Sequence, residues 1–253
     1  SKGLVQFGDF GDTHDSATVI SAKMYLKYKN YYFPSTQTDS LGQIAFDVFK
    51  IDEELDFSTM TYDSVTSTTF GTVSQGSYIG VPTADSQEVE ISLNTTMVKD
   101  WLEYAANSEY PVKNYGIVLS PNNSSVSIKG FYSTNNDAAV EPRLEIILTK
   151  NNVTDTFSTS TSSTISLSNT NFTPSTETFN LQAGVSFVQQ MSFDVSHLPS
   201  TATINDVQLY LTLDSASCVF STQSVYKIFA QFINDSAGLK SDLFTFDATP
   251  SGN

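Results

Sequence analysis

The run ATVISAKMYLKY at residues 17–28 returns at residues 202–213 as ATINDVQLYLTL. In the first copy Ile20, Ala22, Met24, Leu26 and Tyr28 fall on one face of an extended chain; Val19, Ser21, Lys23, Tyr25 and Lys27 fall on the other. In the second, Val207, Leu209, Leu211 and Leu213 take the places of Ala22, Met24, Leu26 and Tyr28. Alternation over this length predicts a strand with one buried face, because a helix would mix the two sets around its circumference. The repeat also predicts two related β units, at least one of them incomplete, rather than a single large domain.

Working outward, GLVQFGDF reads as a short first strand, with Phe7 corresponding to Phe193 in MSFDVSHLPS. Residues 30–39 read as a loop, and QIAFDVFKI then points Ile44, Phe46 and Val48 inward, with an echo in YKIFAQFI at 226–233. LDFSTMTYDSV and LKSDLFTFDAT read as equivalent crossing segments with an aromatic after Thr, Tyr62 and Phe246. Val89, Ile91 and Leu93 alternate in another strand, and NYGIVLSP, VSIKGFYS and PRLEIILTK supply three more between Asn/Ser/Pro turns. One helix is expected over 95–106: Met97, Val98, Trp101, Leu102 and Ala105 follow helical spacing, with Thr95 or Thr96 as cap. That spacing places Trp101 in the core rather than on a sugar-stacking surface. After Lys150 a low-charge Ser/Thr/Asn-rich stretch marks the expected boundary, although TISLS alternates like a strand and the composition also suits a linker. The expected fold is all-β: tandem jelly-roll-like antiparallel β-sandwiches with one short helix, unit one over 1–150 and unit two over 151–253.

Of the 253 residues, 39% are hydrophobic and 12% aromatic, enough for real cores. Twelve basic against 27 acidic residues leave a net charge of −15, which repels phosphate backbones and anionic headgroups, so neither nucleic acid nor a membrane surface is an expected partner. There is no apolar run of about 18 residues and no charged segment leading into an apolar one, so neither membrane insertion nor a signal peptide is expected within this sequence. A removed leader stays compatible with a chain that opens at Ser1. Cys218 stands alone, which rules out an intramolecular disulfide and a thiolate zinc site. Six N-x-Ser/Thr sequons, at Asn94, Asn122, Asn123, Asn152, Asn171 and Asn234, agree with an extracellular or cell-surface, glycosylated protein, although a chain rich in Asn, Ser and Thr produces several by chance.

Unit two carries Phe193, Asp194, Leu198, Pro199, Ala202, Ile204 and Leu209. Unit one carries Trp101, the Asn114–Tyr115–Gly116 triplet, Phe131–Tyr132–Ser133 and Pro142–Arg143–Leu144. With these residues the order of elements resembles the disaggregatase-related, or DNRLRE, β-sandwich family, although GDFGDTHD in unit one departs from the family's FDLSxLP turn. The resemblance implies jelly-roll modules of large secreted or surface proteins, some of whose relatives are carbohydrate-binding modules of polysaccharide-degrading enzymes. It implies a context and no active site.

Aligning the two units leaves unit one short of an N-terminal strand region and unit two short of its C-terminal half. Open edges are therefore expected at residues 1–8 and 214–253, to be closed by a neighbouring copy or by other domains of the same protein.

Signs of chemistry are few. No G-x-S-x-G, H-E-x-x-H, P-loop or G-x-G-x-x-G occurs, and His14 and His197 fall in equivalent turns of different units, so no enzyme activity is expected. The run Asp52, Glu53, Glu54 and Asp56 reads as a solvated loop. Asp9, Asp12 and Asp15, interleaved with Gly8 and Gly11, could wrap a calcium ion with hard oxygen ligands, against the plainer reading of a polar turn; no other cofactor is expected. Tyr25 with Tyr210, and the pair Tyr31–Tyr32, are the candidate platforms for stacking on a sugar, although such tyrosines serve ordinary protein interfaces equally well. The leading expectation is a structural module of an extracellular assembly, such as a filament, sheath, surface layer or adhesin stalk. The alternative is a carbohydrate-binding module of a secreted polysaccharide-active protein.

Overall fold

The computed structural model describes residues 1–8, 10–33, 42–66, 69–134, 137–169, 178, 181, 189–216, 218, 228–233 and 240–248, the last two stretches as backbone. Strands are β1 (Lys2–Phe7), β2 (Thr18–Phe33), β3 (Ile44–Ile51), β4 (Phe70–Gly80), β5 (Glu88–Ser92), β6 (Ile117–Pro121), β7 (Ile128–Phe131), β8 (Arg143–Lys150) and β9 (Val153–Leu167). All their pairings are antiparallel, in the order β4-β3-β6-β1-β9-β8-β2-β5, with β7 also on β2. The expected all-β sandwich is present.

Two layers arise because β9 is long enough to serve both. Residues 153–160 pair with β8, and residues 161–167 pair with β1. Between the layers lie Val5, Phe7, Val48 and Ile117 from one side and Met24, Leu26, Ile91, Leu144 and Ile146 from the other. A helix, α1 (Thr95–Ala106), contributes Met97, Val98, Trp101 and Leu102 to the same core. Each such side chain removed from water contributes about 1.5–3 kcal/mol. Part of the outer face of the first layer is covered too: Leu4, Ile51, Val118 and Leu167 pack against Leu55, Phe57, Met60 and Val65 of the segment after β3. That explains why β1 and β6 read as continuous apolar runs rather than alternating ones. Edge strands β4 and β5 are joined at one end, where Gly76 bridges Leu93 and the Asn94 amide donates to the Gln75 carbonyl at 2.7 Å.

Several local expectations change. In β2 the register shifts between Val19 and Ser21, so Ile20 bulges out, 55% exposed, while Val19 turns into the core. One extra residue reverses the facing of everything before it. Residues 30–33, expected as loop, continue β2, because β7 pairs with them. The cap of α1 is Asn94, whose Oδ1 accepts from the Thr96 and Met97 amides at 2.8 and 3.3 Å, and not Thr95 or Thr96. β4 had no expected counterpart.

The boundary expected after Lys150 falls inside a hairpin. Asn151 and Asn152 have φ of 52° and 62°, the left-handed pair of a two-residue turn, and the Ser/Thr-rich stretch after them is β9, a strand of the first sandwich. The open edge expected at residues 1–8 is likewise absent: β1 is interior, with β6 on one side and β9 on the other.

Among the described residues after 169, this architecture is not repeated. Residues 190–216 are exposed throughout and carry no strand, so the second copy of the signature run lies unpaired among the described residues. A strand needs partners for the N–H and C=O groups along its edges; β8 and β5 supply them to β2, and no described strand supplies them to 202–213. Further on, β10 (Ile228–Ile233) and β11 (Lys240–Ala248) form an antiparallel pair. The segment expected as a crossing is thus a strand, whereas its counterpart in the first unit is a covering loop with a single 3-10 turn, Tyr62–Ser64.

Candidate binding face

In the second layer, β5, β2 and β8 turn one face of the sheet to solvent. The alternation that buries Met24 and Leu26 turns Lys23, Tyr25 and Lys27 outward, opposite Glu88 and Glu90 on β5 and Arg143 and Glu145 on β8. The Arg143 guanidinium lies 3.8 Å from the centre of the Tyr25 ring and reaches Glu88 and Glu145 at 3.4 Å each. The Tyr25 hydroxyl donates to Glu145 at 3.3 Å, and Lys23 pairs with Glu90 at 2.8 Å. Burial and then the Glu145 charge push the Tyr25 hydroxyl's pKa up; the bond from Lys23 holds Glu90 below the usual carboxylate range, and the bond to Glu90 raises Lys23. The face is a charge-matched lattice across three strands, and the side of the Tyr25 ring that faces Arg143 is taken by a cation rather than open to a sugar.

The far end of β2 gathers aromatics. Tyr28 is buried, with Phe131 edge-on at 6.3 Å and the Lys129 ammonium 5.3 Å from its ring centre. Lys129 is buried, donates to the Pro82 carbonyl at 2.6 Å, and has its pKa pushed down by burial. Tyr31 and Tyr32 are half-buried opposite Gly130 and Lys129. A methyl group on Gly130 would sit 3.0 Å from the Tyr31 Cβ, so the glycine leaves room for the tyrosine beside it. Tyr132 donates to Asp85 at 3.3 Å, with Lys29 5.6 Å from its ring. Tyr31 and Tyr32 thus share the β2–β7 ladder, and Tyr132 follows just past the end of β7, its amide donating to the Lys27 carbonyl at 2.9 Å.

Tyr210 is placed differently from Tyr25, its sequence equivalent. It is 83% exposed in the unpaired run, on a shallow open groove with Met191, Phe193, Leu209 and Leu211.

The acidic turn is only partly in view, since Asp9 lies outside the described residues. Asp12 is exposed; Asp15 pairs with Lys150 at 2.7 Å, and that bond and charge hold its carboxyl below the ordinary value. Among the described residues no group of three or more His, Cys, Asp or Glu is placed to hold a metal. The His14 ring packs 4.8 Å from Phe157, and His197 is exposed in another segment. Trp101 is 1% exposed, with Phe10 5.9 Å away.

The sequons divide by what their side chains already do. Asn122 is engaged at both ends, donating to Asp47 at 3.3 Å and accepting from the Ser124 amide at 3.0 Å. Asn94 caps α1 through its oxygen alone, which is compatible with a glycan on nitrogen. Asn123 and Asn152 are exposed in turns, and Asn171 and Asn234 lie outside the described residues. No helix among the described residues is long and apolar enough to cross a membrane.

Two side chains outside the expected site residues tie distant segments together, Arg143 on this face and Asn114 at the end of β1. Arg143 belongs to PRLEI, and Asn114 to the NYG triplet, where its amide donates to the Phe7 carbonyl at 2.8 Å and its oxygen accepts from the Gly116 amide at 2.9 Å. The chain matches no protein-family model, no curated protein and no solved structure.

Proposed function

We propose that this chain is a non-catalytic structural module of an extracellular or cell-surface assembly, a filament, sheath, surface layer or adhesin stalk, whose partners are neighbouring copies or domains of its own kind. The observation that carries the reading is the contrast between the two copies of one sequence. Residues 18–28 lie within a sheet, whereas Ile204, Val207, Leu209, Leu211 and Leu213 are each at least half exposed. Apolar side chains at strand spacing gain about 25 cal/mol per Å² when covered, which favours association. The sparse charge and the Ser/Thr/Asn-rich surface suit dense packing among like modules, and the DNRLRE resemblance supports a secreted, non-enzymatic setting. Light scattering and electron microscopy of the purified chain over a range of concentrations test this. Reversible association or filaments are expected, and a monomer at every concentration that also fails to join other domains of its protein refutes the reading.

A second reading, a carbohydrate-binding module, is favoured by the half-exposed Tyr31 and Tyr32 on the β2–β7 ladder, with the half-exposed Tyr132 just past the end of β7. It requires retention on a polysaccharide affinity gel that is lost in Tyr31→Ala.

A further inference from the structure

The second copy of the signature run repeats the first more closely than its alternation alone requires. In β2 the buried positions are Val19, then Ala22, Met24, Leu26 and Tyr28, with Ile20 pushed out at the bulge and Ser21 half-buried. The equivalent positions are Ile204, then Val207, Leu209, Leu211 and Leu213, with Asn205 and Asp206 between the first two. The three-residue step that a bulge produces is kept, and the bulged positions are filled with polar residues. Residues 202–213 are therefore written as a bulged strand in the register of β2, and Ile204, Val207, Leu209 and Leu211 are each at least half exposed.

The first copy shows what such a strand pairs with. Val19 lies opposite Leu148, Ala22 opposite Ile146, Met24 opposite Leu144 and Tyr25 opposite Arg143. Leu144, Ile146 and Leu148 face the core, and Arg143 stacks on Tyr25 from the solvent side. Tyr210, the equivalent of Tyr25, is the most exposed large side chain of the run.

We propose that residues 202–213 are a docking strand for an antiparallel partner strand of the pattern Arg-Leu-x-Ile-x-Leu. The leucines and isoleucine meet Leu209, Val207 and Ile204 in order, and the arginine lies on the Tyr210 ring. The partner is defined by the same chemistry as β8: alternate aliphatic side chains for one face and one planar cation for the other. Backbone bonds along the edge supply affinity, and the bulge fixes the register, since a one-residue slip turns every aliphatic side chain the wrong way. This deepens the assembly reading by naming what kind of strand joins the module, and it rests on that reading.

The test uses the full chain and a synthetic peptide, EPRLEIILTK, the sequence of residues 141–150. Amide hydrogen exchange with the peptide at saturation should show new protection over 204–213, one peptide per chain. Replacing the peptide's arginine with alanine should weaken binding about two- to five-fold. Leu209→Lys with Leu211→Lys, both at exposed positions, should abolish the protection while the thermal midpoint of the sandwich stays in place. The proposal is overturned by absence of protection at saturation, by equal protection from a scrambled peptide, or by protection only at β2, which would mean exchange with the native β8. It is also overturned if 204–213 is protected by self-association that the peptide does not compete away; a second copy's run is then the occupant, and the assembly reading survives. Peptide protection in a chain that never associates has the converse meaning: the docking strand stands and the assembly reading falls.

Discussion

The side-chain amide of Asn114 donates to the main-chain carbonyl of Phe7 at 2.8 Å, tying the loop before β6 to the end of β1. The same side chain accepts from the Gly116 amide, and the Gln6 side-chain amide donates to the Asn114 carbonyl at 3.4 Å. Gly116 has φ of +100°, and a Cβ there would lie 2.7 Å from the Val5 carbonyl oxygen. The NYG triplet is thus a clasp on β1, and its glycine is required twice, for backbone angle and for space. Asn114→Ala should lower unfolding free energy by about 1–3 kcal/mol, because it leaves a partly buried carbonyl without its donor. Gly116→Ala should be at least as severe; chemical denaturation of both variants checks the order.

Closure of the sandwich at Gly76 makes a separate prediction. A methyl group on Gly76 would overlap the Ser92 carbonyl oxygen and crowd the Leu93 side chain at 3.2 Å. Gly76→Ala should therefore push β4 away from β5, at a cost of about 1–3 kcal/mol. Hydrogen exchange should quicken at the Asn94 amide, which bonds Gln75, before it quickens in β8. Uniform exchange along both strands would contradict this.

Trp101 is the chain's sole tryptophan, and its Nε1 is buried with no hydrogen-bond partner among the described residues. Trp101→Ala should destabilise by about 3–5 kcal/mol through the cavity it leaves. Trp101→Phe should cost much less, since it keeps most of the ring and removes the unpaired N–H. Native tryptophan emission should be that of an apolar site and shift to the red in step with loss of β circular dichroism.

Two surface ion pairs should leave opposite marks on the pH dependence of stability. Lys150 holds the Asp15 pKa below its unfolded value, so the pair's contribution is present above that unfolded value and is lost as pH falls through the folded one. Glu90 raises Lys23, so that contribution is present below the lysine's unfolded pKa and is lost as pH rises through the folded one. Both pairs are exposed, so the effects should be small and shrink with added salt. Melting curves of Asp15→Asn should lose part of the acid limb, and those of Lys23→Gln part of the alkaline limb. The reverse assignment would show that the pairs do not form in solution.

Glycosylation, where it occurs, should favour Asn94, Asn123 or Asn152 over Asn122. A glycan on the Asn122 nitrogen replaces one of its two N–H groups and crowds the bond to Asp47, whereas the other three are exposed. Peptide mapping of the protein secreted from a glycosylating host gives the site occupancies, and dominant occupancy of Asn122 would show that the Asp47 bond is dispensable.

The strands whose apolar residues alternate, β2, β3, β5 and β8, were legible because period-two patterning is a property of the chain itself. So was α1, four of whose five expected apolar-face residues are buried, the fifth, Ala105, being exposed near the helix end. What escaped depends on a second strand. Ile20 sits outside because the pairing with β8 absorbs one extra residue, and nothing local to Val19–Ile20–Ser21 announces it. Asn151–Asn152 resembles the opening of a linker, yet with a strand on each side it is a hairpin turn. FGTVSQGSYIG is rich in Gly and Ser because β4 is a half-exposed edge, so the usual apolar pattern is missing. Tyr25 could be placed on the outward face from sequence, but not beneath Arg143, since that contact depends on the register of strands far apart in the chain. The repeat at 202–213 was legible as a pattern, but a pattern does not carry its own partner.

The strand shared by both layers has a mechanical consequence. β9 is fastened over 153–160 to β8 and over 161–167 to β1. Tension on the polypeptide after Leu167 acts along the axis of a strand zipped to two different neighbours. Its hydrogen bonds are then loaded in shear, sharing the force, instead of being peeled open one after another from an edge. The load passes into β1 and β8 together, so a pull on one end of the domain draws on the resistance of both sheets at once.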